Sequence, residues 1–262
     1  MDKRYILKIS KITQETDLIR TFRFDFDLKA RPGQFIMLSD LVNGEKPFSI
    51  ADCGENYFEI TVKKIGKFTT ALFQKSVGDR LSVRGAYGSS FFISSGRVLI
   101  VAGGYAAPPV YLLAKKLLDA GAKITLINGA RTKDDLVFSK RFKNLSIDYF
   151  ETLDVEKIDF QGTSVDVAKN FLKENQYDFV YASGPDMMMK ALQAYLNKNE
   201  YEFLFERYMK CAIGICGQCT LDPLGIRVCV EGPVLGKRFV KQLTEFGNYK
   251  RDASGQRIYY AK

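Results

Sequence analysis

The chain contains no histidine among its 262 residues. That absence excludes Ser-His-Asp and Cys-His catalysis, His-ligated zinc or haem, and a Rieske-type cluster. Chemistry must then run on carboxylate, amine, hydroxyl and thiolate groups, or on a bound cofactor. Long apolar runs are missing as well. None approaches the roughly 20 residues that span a bilayer, so no membrane span is expected. The start, Met1-Asp2-Lys3-Arg4-Tyr5, lacks the apolar core of a signal peptide. Both absences point to a cytoplasmic chain, whose thiols stay reduced. Internal repeats and low-complexity tracts are also absent.

What is present is ordinary in bulk. The length corresponds to about two domains of roughly 150 residues. Hydrophobic residues make up 46% and charged residues 26%, enough for a soluble chain with a sizeable core. Lys and Arg total 39 against 30 Asp and Glu, a net charge of +9. The basic residues are scattered among acids, with one loose cluster at Lys237-Arg238, Lys241, Lys250-Arg251 and Arg257. That cluster reads as a solvated surface or as a docking face for an acidic partner. No basic platform interleaved with aromatics stands out, so nucleic acid is not an expected partner.

Three kinds of pattern follow one another. Up to about residue 95, short stretches rich in β-branched and aromatic residues alternate with turns. Examples are Tyr5-Ile-Leu-Lys-Ile9, Ile19-Arg-Thr-Phe-Arg-Phe24, Gln34-Phe-Ile-Met-Leu38, Tyr57-Phe-Glu-Ile-Thr-Val62 and Arg80-Leu-Ser-Val-Arg84. This spacing predicts an antiparallel β-barrel or sandwich, interrupted by one helix at 69–74. Over 96–205 the period changes. Val98-Leu-Ile-Val-Ala102 is a continuous apolar run ending in Gly103-Gly104, as expected of a strand buried on both faces. Pro108 and Pro109 open a predicted helix that Gly121 closes. Strands predicted at 123–127, 145–149 and 178–182 alternate with helices at 133–142, 163–175 and 185–197. That alternation specifies an α/β nucleotide-binding-type parallel sheet. Over 206–262 the cysteines concentrate, glycine is frequent, and a basic tail follows.

Five cysteines in a reducing compartment favour metal or redox chemistry over a disulfide framework. Cys211, Cys216 and Cys219 form a C-x4-C-x2-C run, and Cys229 follows after nine residues. That opening is the plant-type 2Fe-2S spacing. Gly214 and Gly217 can take positive φ and fold backbone N–H groups over the sulfurs. Asp222-Pro-Leu-Gly225 is a turn signal, so residues 220–221 and 226–228 can form a hairpin that returns Cys229 to the others. A structural zinc also takes four thiolates, although it more often pairs two C-x2-C knuckles, of which only one exists here. Cys53 stands apart and reads as a small core residue.

Weaker signals mark two nucleotide-type sites. Lys46-Pro47-Phe48-Ser49 and the Gly66-Lys-Phe-Thr69-Thr70 segment sit in the barrel half, where a helix start could hold a pyrophosphate. Read alone, these are a strand entry and a helix cap. Gly103-Gly104-Tyr105-Ala106-Ala107-Pro108 and Ala182-Ser183-Gly184-Pro185 each follow a predicted parallel strand. Gly184 would let a flat ring approach the backbone, while Met187-Met-Met189 reads as core filler. The bland reading of both segments is a glycine-containing βα turn.

Taken together, these segments resemble the ferredoxin reductase superfamily and, within it, the electron-transfer subunits of type B dihydroorotate dehydrogenase. Lys46-Pro47-Phe48-Ser49 matches the R-P-[YFIL]-S flavin motif, and Gly66-Lys-Phe-Thr69 the G-x-G-T segment. Gly129-Ala-Arg131 through Leu136 matches G-A-R-x-x-x-x-L, and Ala182-Ser-Gly-Pro-Asp-Met187 matches C-G-P-x-x-M. Glu206-Arg-Tyr-Met-Lys-Cys211 leads into the cysteines, and Arg227-Val-Cys-Val-Glu-Gly-Pro233 closes them. The resemblance implies FAD held by Lys46 to Ser49, Thr61, Val62, Lys63, Thr69 and Thr70, and a 2Fe-2S cluster on Cys211, Cys216, Cys219 and Cys229. It implies no catalytic side chain. It also implies an FMN-containing catalytic partner that oxidises dihydroorotate, a heterotetramer, and NAD as acceptor. Related subunits of hydrogenase, sulfide dehydrogenase or ferredoxin:NAD(P) oxidoreductase share these modules.

Four departures from the family pattern stand out. Lys46 replaces an arginine and its bidentate fork. Phe68 replaces a glycine, which predicts bulk at the pyrophosphate. Tyr105 and Ala106 stand in the G-G-x-G-x-x-P turn, and Ser183 replaces the cysteine that faces nicotinamide. Both nucleotide sites depart while the cysteine set is intact. This combination predicts a subunit that keeps its cluster, binds FAD weakly and uses NAD poorly.

Overall fold

The computed structural model describes residues 3–155 and 158–260. Six strands form the first unit: β1 (Arg4–Thr16), β2 (Ile19–Phe24), β3 (Phe35–Ser39), β4 (Glu45–Gly54), β5 (Tyr57–Lys63) and β6 (Arg80–Tyr87). They close into an antiparallel barrel in the order β1-β2-β5-β4-β3-β6. Alternation along the strands turns Phe22, Phe24, Ile36, Leu38, Phe58, Ile60 and Val62 inward. One helix, α1 (Lys67–Leu72), lays Phe68 and Leu72 into the same core. β4 runs through the Lys46–Ser49 motif instead of starting after it.

The second unit is a sheet of order β10-β9-β8-β7-β11-β12-β15. β7 (Arg97–Gly103), β8 (Lys123–Ala130), β9 (Asp148–Leu153), β10 (Phe160–Gln161), β11 (Phe179–Ser183) and β12 (Glu200–Leu204) are parallel. Helices α2 (Pro108–Asp119), α3 (Ser139–Lys143), α4 (Ser164–Glu174) and α5 (Asp186–Gln193) connect them. Strand order reverses between β7 and β11, so the crevice for a ligand lies beyond their carboxyl ends. The helix expected over 133–142 is broken. A 3-10 turn at Lys133–Asp135 and a left-handed Phe138 (φ 65°) precede α3. Phe138 leaves the helical path because its ring packs into the core against Tyr111, 5.6 Å between centroids.

The cysteine region grows out of the sheet edge. β13 (Thr220–Leu221) and β14 (Ile226–Arg227) make the expected hairpin, with Thr220 opposite Arg227. β15 (Val234–Gly236) then returns antiparallel to β12. After α6 (Lys237–Val240), a second hairpin of β16 (Tyr249–Arg251) and β17 (Arg257–Tyr259) completes the chain. No helix among the described residues is long and apolar enough to cross a membrane.

Barrel and sheet are joined by α2 against β4. Ala51 and Ile19 share a core with Leu113 and Leu117. Asp52, buried at this seam, accepts from Lys115 Nζ at 2.7 Å and Tyr57 Oη at 3.0 Å. Hydrogen bonds to charged groups are worth about 1.5–3 kcal/mol. Asp52→Ala is therefore expected to lower stability by about 2 kcal/mol, measured as a lower denaturant midpoint at unchanged slope.

Candidate cofactor cleft and cysteine loop

A cleft of about 220 Å³ opens between barrel and sheet. Barrel residues Pro47, Phe48, Ser49, Thr61, Lys63 and Thr69 line one side. Tyr105, Pro108, Pro109, Phe205, Glu206 and Met209 line the other. The lining is mostly apolar with a few hydroxyl and charged groups, which fits a flat ring system with polar edges.

The sequence-expected flavin residues divide by the pleat of β5. Thr61 and Lys63 face the cleft, whereas Val62 between them is buried in the barrel core. Lys46 lies beside the cleft, its Nζ donating to Tyr208 Oη at 3.1 Å and sitting 4.5 Å from that ring. Thr69 Oγ1 accepts from the backbone of Ile65 and Gly66 at 2.9 and 3.0 Å, capping α1. Thr70 is exposed on α1 and does not line the cleft. Phe68 brings no bulk to the cleft. It belongs to the inward face of α1 and packs toward Phe48 in the barrel.

The two βα turns at the switch point are tightly built. Ser183 Oγ, fully buried, donates to the Ala106 carbonyl at 2.8 Å and so ties one turn to the other. A Cβ on Gly103 or Gly184 would lie 2.5 or 2.6 Å from Met188, so both glycines serve close packing. The expected open approach to Gly184 is thus filled by Met188. Of the three methionines only Met189 is fully buried, and Met187 is exposed. Tyr105 stands at the cleft with Oη 3.5 Å from Glu206 and its ring 5.3 Å from Lys63 Nζ. Lys63 also pairs with Asp135 at 2.7 Å. The Glu206 charge beside it and partial burial push the Tyr105 phenol up. Glu206 is exposed at the mouth of the cleft, where desolvation by the surrounding walls and the nearby Asp186 carboxylate push its carboxyl up, against Tyr105, Arg207 and Lys250.

Behind Glu206 lies a buried ion triad that sequence reading missed. Arg207 grips Asp186 with both Nη atoms at 3.1 and 2.8 Å, and Glu245 through Nε at 3.0 Å. The three side chains are only 5%, 5% and 0% exposed. Tyr260 Oη adds a bond to Asp186 at 3.2 Å, and Asp222 N one to Glu245 at 2.9 Å. The available signal was the pair Glu206-Arg207 directly after the apolar run Phe203-Leu204-Phe205, which put charge where burial was due.

All four expected cysteines converge on one loop, and they do so as two pairs. Cys216 N–H donates to Cys211 Sγ at 3.5 Å, and Cys229 N–H to Cys219 Sγ at 3.4 Å. Gly214 (φ 77°), Gly217 (φ 67°) and Ala212 (φ 63°) give the loop its curl. Burial pushes the Cys211 thiol up, but the N–H groups of Cys216 and Ile213 outweigh it and hold the thiol at about 6. Burial and the adjoining Cys219 push Cys229 up to about 12. Among the described residues, no three His, Cys, Asp or Glu side chains come close enough to hold a single metal ion. Mononuclear zinc needs four donors around one point, whereas a two-iron cluster takes two thiolates at each iron. The paired arrangement fits the two-iron group. Cys53 is half-buried and remote, its Sγ 3.7 Å from the Ala30 carbonyl.

A closed barrel, a parallel sheet with a cleft at its switch point, and a cysteine loop after both define a ferredoxin reductase-like oxidoreductase. Residues 6–92 match the oxidoreductase FAD-binding domain. Residues 206–241 match the iron-sulfur cluster binding domain of dihydroorotate dehydrogenase B. The chain is 40% identical, over 99% of its length and 100% of the relative's, to a Methanocaldococcus jannaschii protein named "Probable dihydroorotate dehydrogenase B (NAD(+)), electron transfer subunit". A protein of the same name from Methanothermobacter thermautotrophicus is 34% identical over 97% of this chain and 96% of its own. Among solved structures, a chain of an NADH-dependent reduced ferredoxin-NADP oxidoreductase superposes with a TM-score of 0.82 at 30% identity, covering 93% of this chain and 91% of that one. A ferredoxin reductase of carbazole 1,9a-dioxygenase shares the fold, with a TM-score of 0.66 at 20% identity over 75% of this chain and 66% of that one. The chain belongs to the family of dihydroorotate dehydrogenase B electron transfer subunits.

Two predictions follow from these charges. Arg207→Ala leaves two buried carboxylates uncompensated and is expected to cost about 3–5 kcal/mol in chemical denaturation. The folded chain holds the Glu206 proton more tightly than the unfolded chain does. Its contribution therefore favours folding at acid pH and is lost as pH rises from the unfolded value through the folded one. Glu206→Gln should have a thermal midpoint near wild type at low pH and increasingly above it toward pH 7.5; a constant offset would contradict the assignment.

Proposed function

We propose that this chain is the electron-transfer subunit of a dihydroorotate dehydrogenase complex in pyrimidine biosynthesis. It receives electrons from the FMN of a catalytic partner, where dihydroorotate is oxidised, and carries them to its own acceptor, NAD or another oxidant. Support comes chiefly from the cysteine loop, whose two thiol pairs suit a two-iron cluster. When bound, the cluster exchanges single electrons and the flavin exchanges one or two. Cys211, Cys216, Cys219 and Cys229 hold the cluster. Pro47, Phe48, Ser49, Thr61, Lys63 and Thr69 would hold FAD in the cleft, with Lys46 beside them.

The protein's own groups bind, orient and insulate. Arg84 grips Glu45 on β4 at 3.0 and 2.5 Å and donates to the Cys211 carbonyl at 3.4 Å, so the flavin strand and the cysteine loop share one anchor. Arg227 Nη1 donates to the Gly214 carbonyl at 2.9 Å and holds the loop's far side. We read three modules, 1–95, 96–205 and 206–262, the last lending β15 to the sheet. Exposed Ile213, Ile215 and Val230 around the cysteines suit a buried face toward the FMN subunit in a cytoplasmic heterotetramer.

A second reading draws on the 30% identity to the ferredoxin-NADP oxidoreductase chain: the same modules serving a different catalytic partner. Co-purification decides between them, because a partner that carries FMN and reduces it with dihydroorotate is required by the first reading alone. The cofactor assignment has its own test. The purified complex should be reddish-brown and contain iron and acid-labile sulfide in equal amounts, with FAD and no zinc. Cys219→Ser should lose that colour; a colourless zinc-containing wild type would refute the cluster.

A further inference from the structure

The line from the nucleotide sheet to the flavin side of the cleft is crossed by one side chain. Tyr105 comes from the turn after β7, where a dinucleotide would enter, and reaches across to the barrel. Its ring sits 5.3 Å from Lys63 Nζ on β5, and its hydroxyl lies 3.5 Å from Glu206. It lines the same cleft as Phe48, Ser49 and Thr61. Hydride transfer between a flavin and a nicotinamide needs their reacting atoms about 3–3.5 Å apart. A ring at the entrance is incompatible with that contact.

Two further features shape the same corner. A helix start binds pyrophosphate through its free N–H groups. Here Pro108 and Pro109 occupy the first two helical positions of α2, Pro109 being the proline of the family's own turn, and Val110 N–H is given to the Ala107 carbonyl at 3.1 Å. At the facing turn, Met188 fills the space over Gly103 and Gly184, and Ser183 is committed to Ala106. Met188 and Ser183 thus fix the facing turn, and Tyr105 is the aromatic side chain of this corner that lines the cleft.

We propose that Tyr105 is a specificity-determining residue that closes the cleft to nicotinamide dinucleotides, so that NAD binds only when Tyr105 leaves its seat between Lys63 and Glu206. The inference rests on the reading of the cleft as the flavin site. It also distinguishes this chain from what the names of its relatives state, since those carry NAD(+). An affinity reduced by a closed population scales with the open fraction, so a seat occupied about nine-tenths of the time weakens binding about tenfold.

The test uses the purified complex with its partner, after FAD and iron have been measured in every preparation. NAD⁺ affinity is determined by calorimetric titration for wild type, Tyr105→Gly and Tyr105→Phe. Tyr105→Gly should bind NAD⁺ at least about tenfold more tightly than wild type. Tyr105→Phe keeps the ring and should stay within about threefold of wild type. Equal affinity of wild type and Tyr105→Gly, with full flavin in both, would overturn the proposal. So would a Tyr105→Phe that binds as tightly as Tyr105→Gly, since the ring would then not be the obstacle. A wild-type complex without FAD would refute the flavin reading and this inference with it, an outcome distinguishable from the other two.

Discussion

The relation between cleft and cysteine loop depends on the buried triad of Asp186, Arg207 and Glu245. Each member comes from a different part of the chain: the first residue of α5, the segment after β12, and the stretch after α6. An arginine taken out of water is tolerable only with its charge and its donors met, and here two carboxylates supply both. Because the guanidinium is a planar fork, the bidentate grip on Asp186 fixes orientation as well as distance. The sheet's second βα turn, the cleft wall at Glu206 and the C-terminal hairpin through Tyr260 are thereby held as one body. Electron carriers need such fixity, since the protein's contribution is to position cofactors and tune their surroundings.

The cysteine loop extends the same logic with backbone groups. Its left-handed residues turn N–H groups toward sulfur, and N–H donors to sulfur tune the potential of a thiolate-bound cluster. At Gly214 a Cβ would come within 2.8 Å of Val230 and 3.2 Å of Arg227, so both the φ of 77° and the lack of space require glycine. Arg84 and Arg227 hold the first part of the loop by the carbonyls of Cys211 and Gly214. Cationic side chains thus support the loop from outside.

Much of this was legible in the sequence where a local rule decides. The barrel strands, the buried run at 98–102, the Pro108 helix start and the 220–227 hairpin follow from period, turn chemistry and caps. The cysteine spacing marked the thiol loop because three of its four cysteines lie in one short segment. Features set by tertiary contact did not show. Phe138 breaks a helical pattern to fill a core with Tyr111. Val62 and Thr61 look equally available until the pleat assigns them to opposite faces. Phe68 reads as an obstruction in a motif, yet the helix turns it into the barrel. The triad joins residues up to 59 positions apart, a separation no local pattern encodes.

The departures from the family pattern bear on whether the nucleotide corner has decayed or been rebuilt. Erosion leaves polar groups without partners, because nothing selects the compensating change. Here each altered residue is engaged. Lys46 meets Tyr208, Ser183 meets Ala106, and Tyr105 meets both Lys63 and Glu206. Among the described residues, the buried side-chain atoms lacking a partner are Asn128 Oδ1, Ser139 Oγ and Arg251 Nε, none of them lining the cleft. A serine at 183 is moreover informative in itself: a thiol is a weak donor, whereas the hydroxyl at 2.8 Å makes a full bond to the carbonyl one residue beyond Tyr105. The serine thus steadies the turn that carries the tyrosine. These side chains find partners across two turns and a barrel strand, so the corner is a packed and satisfied part of the fold.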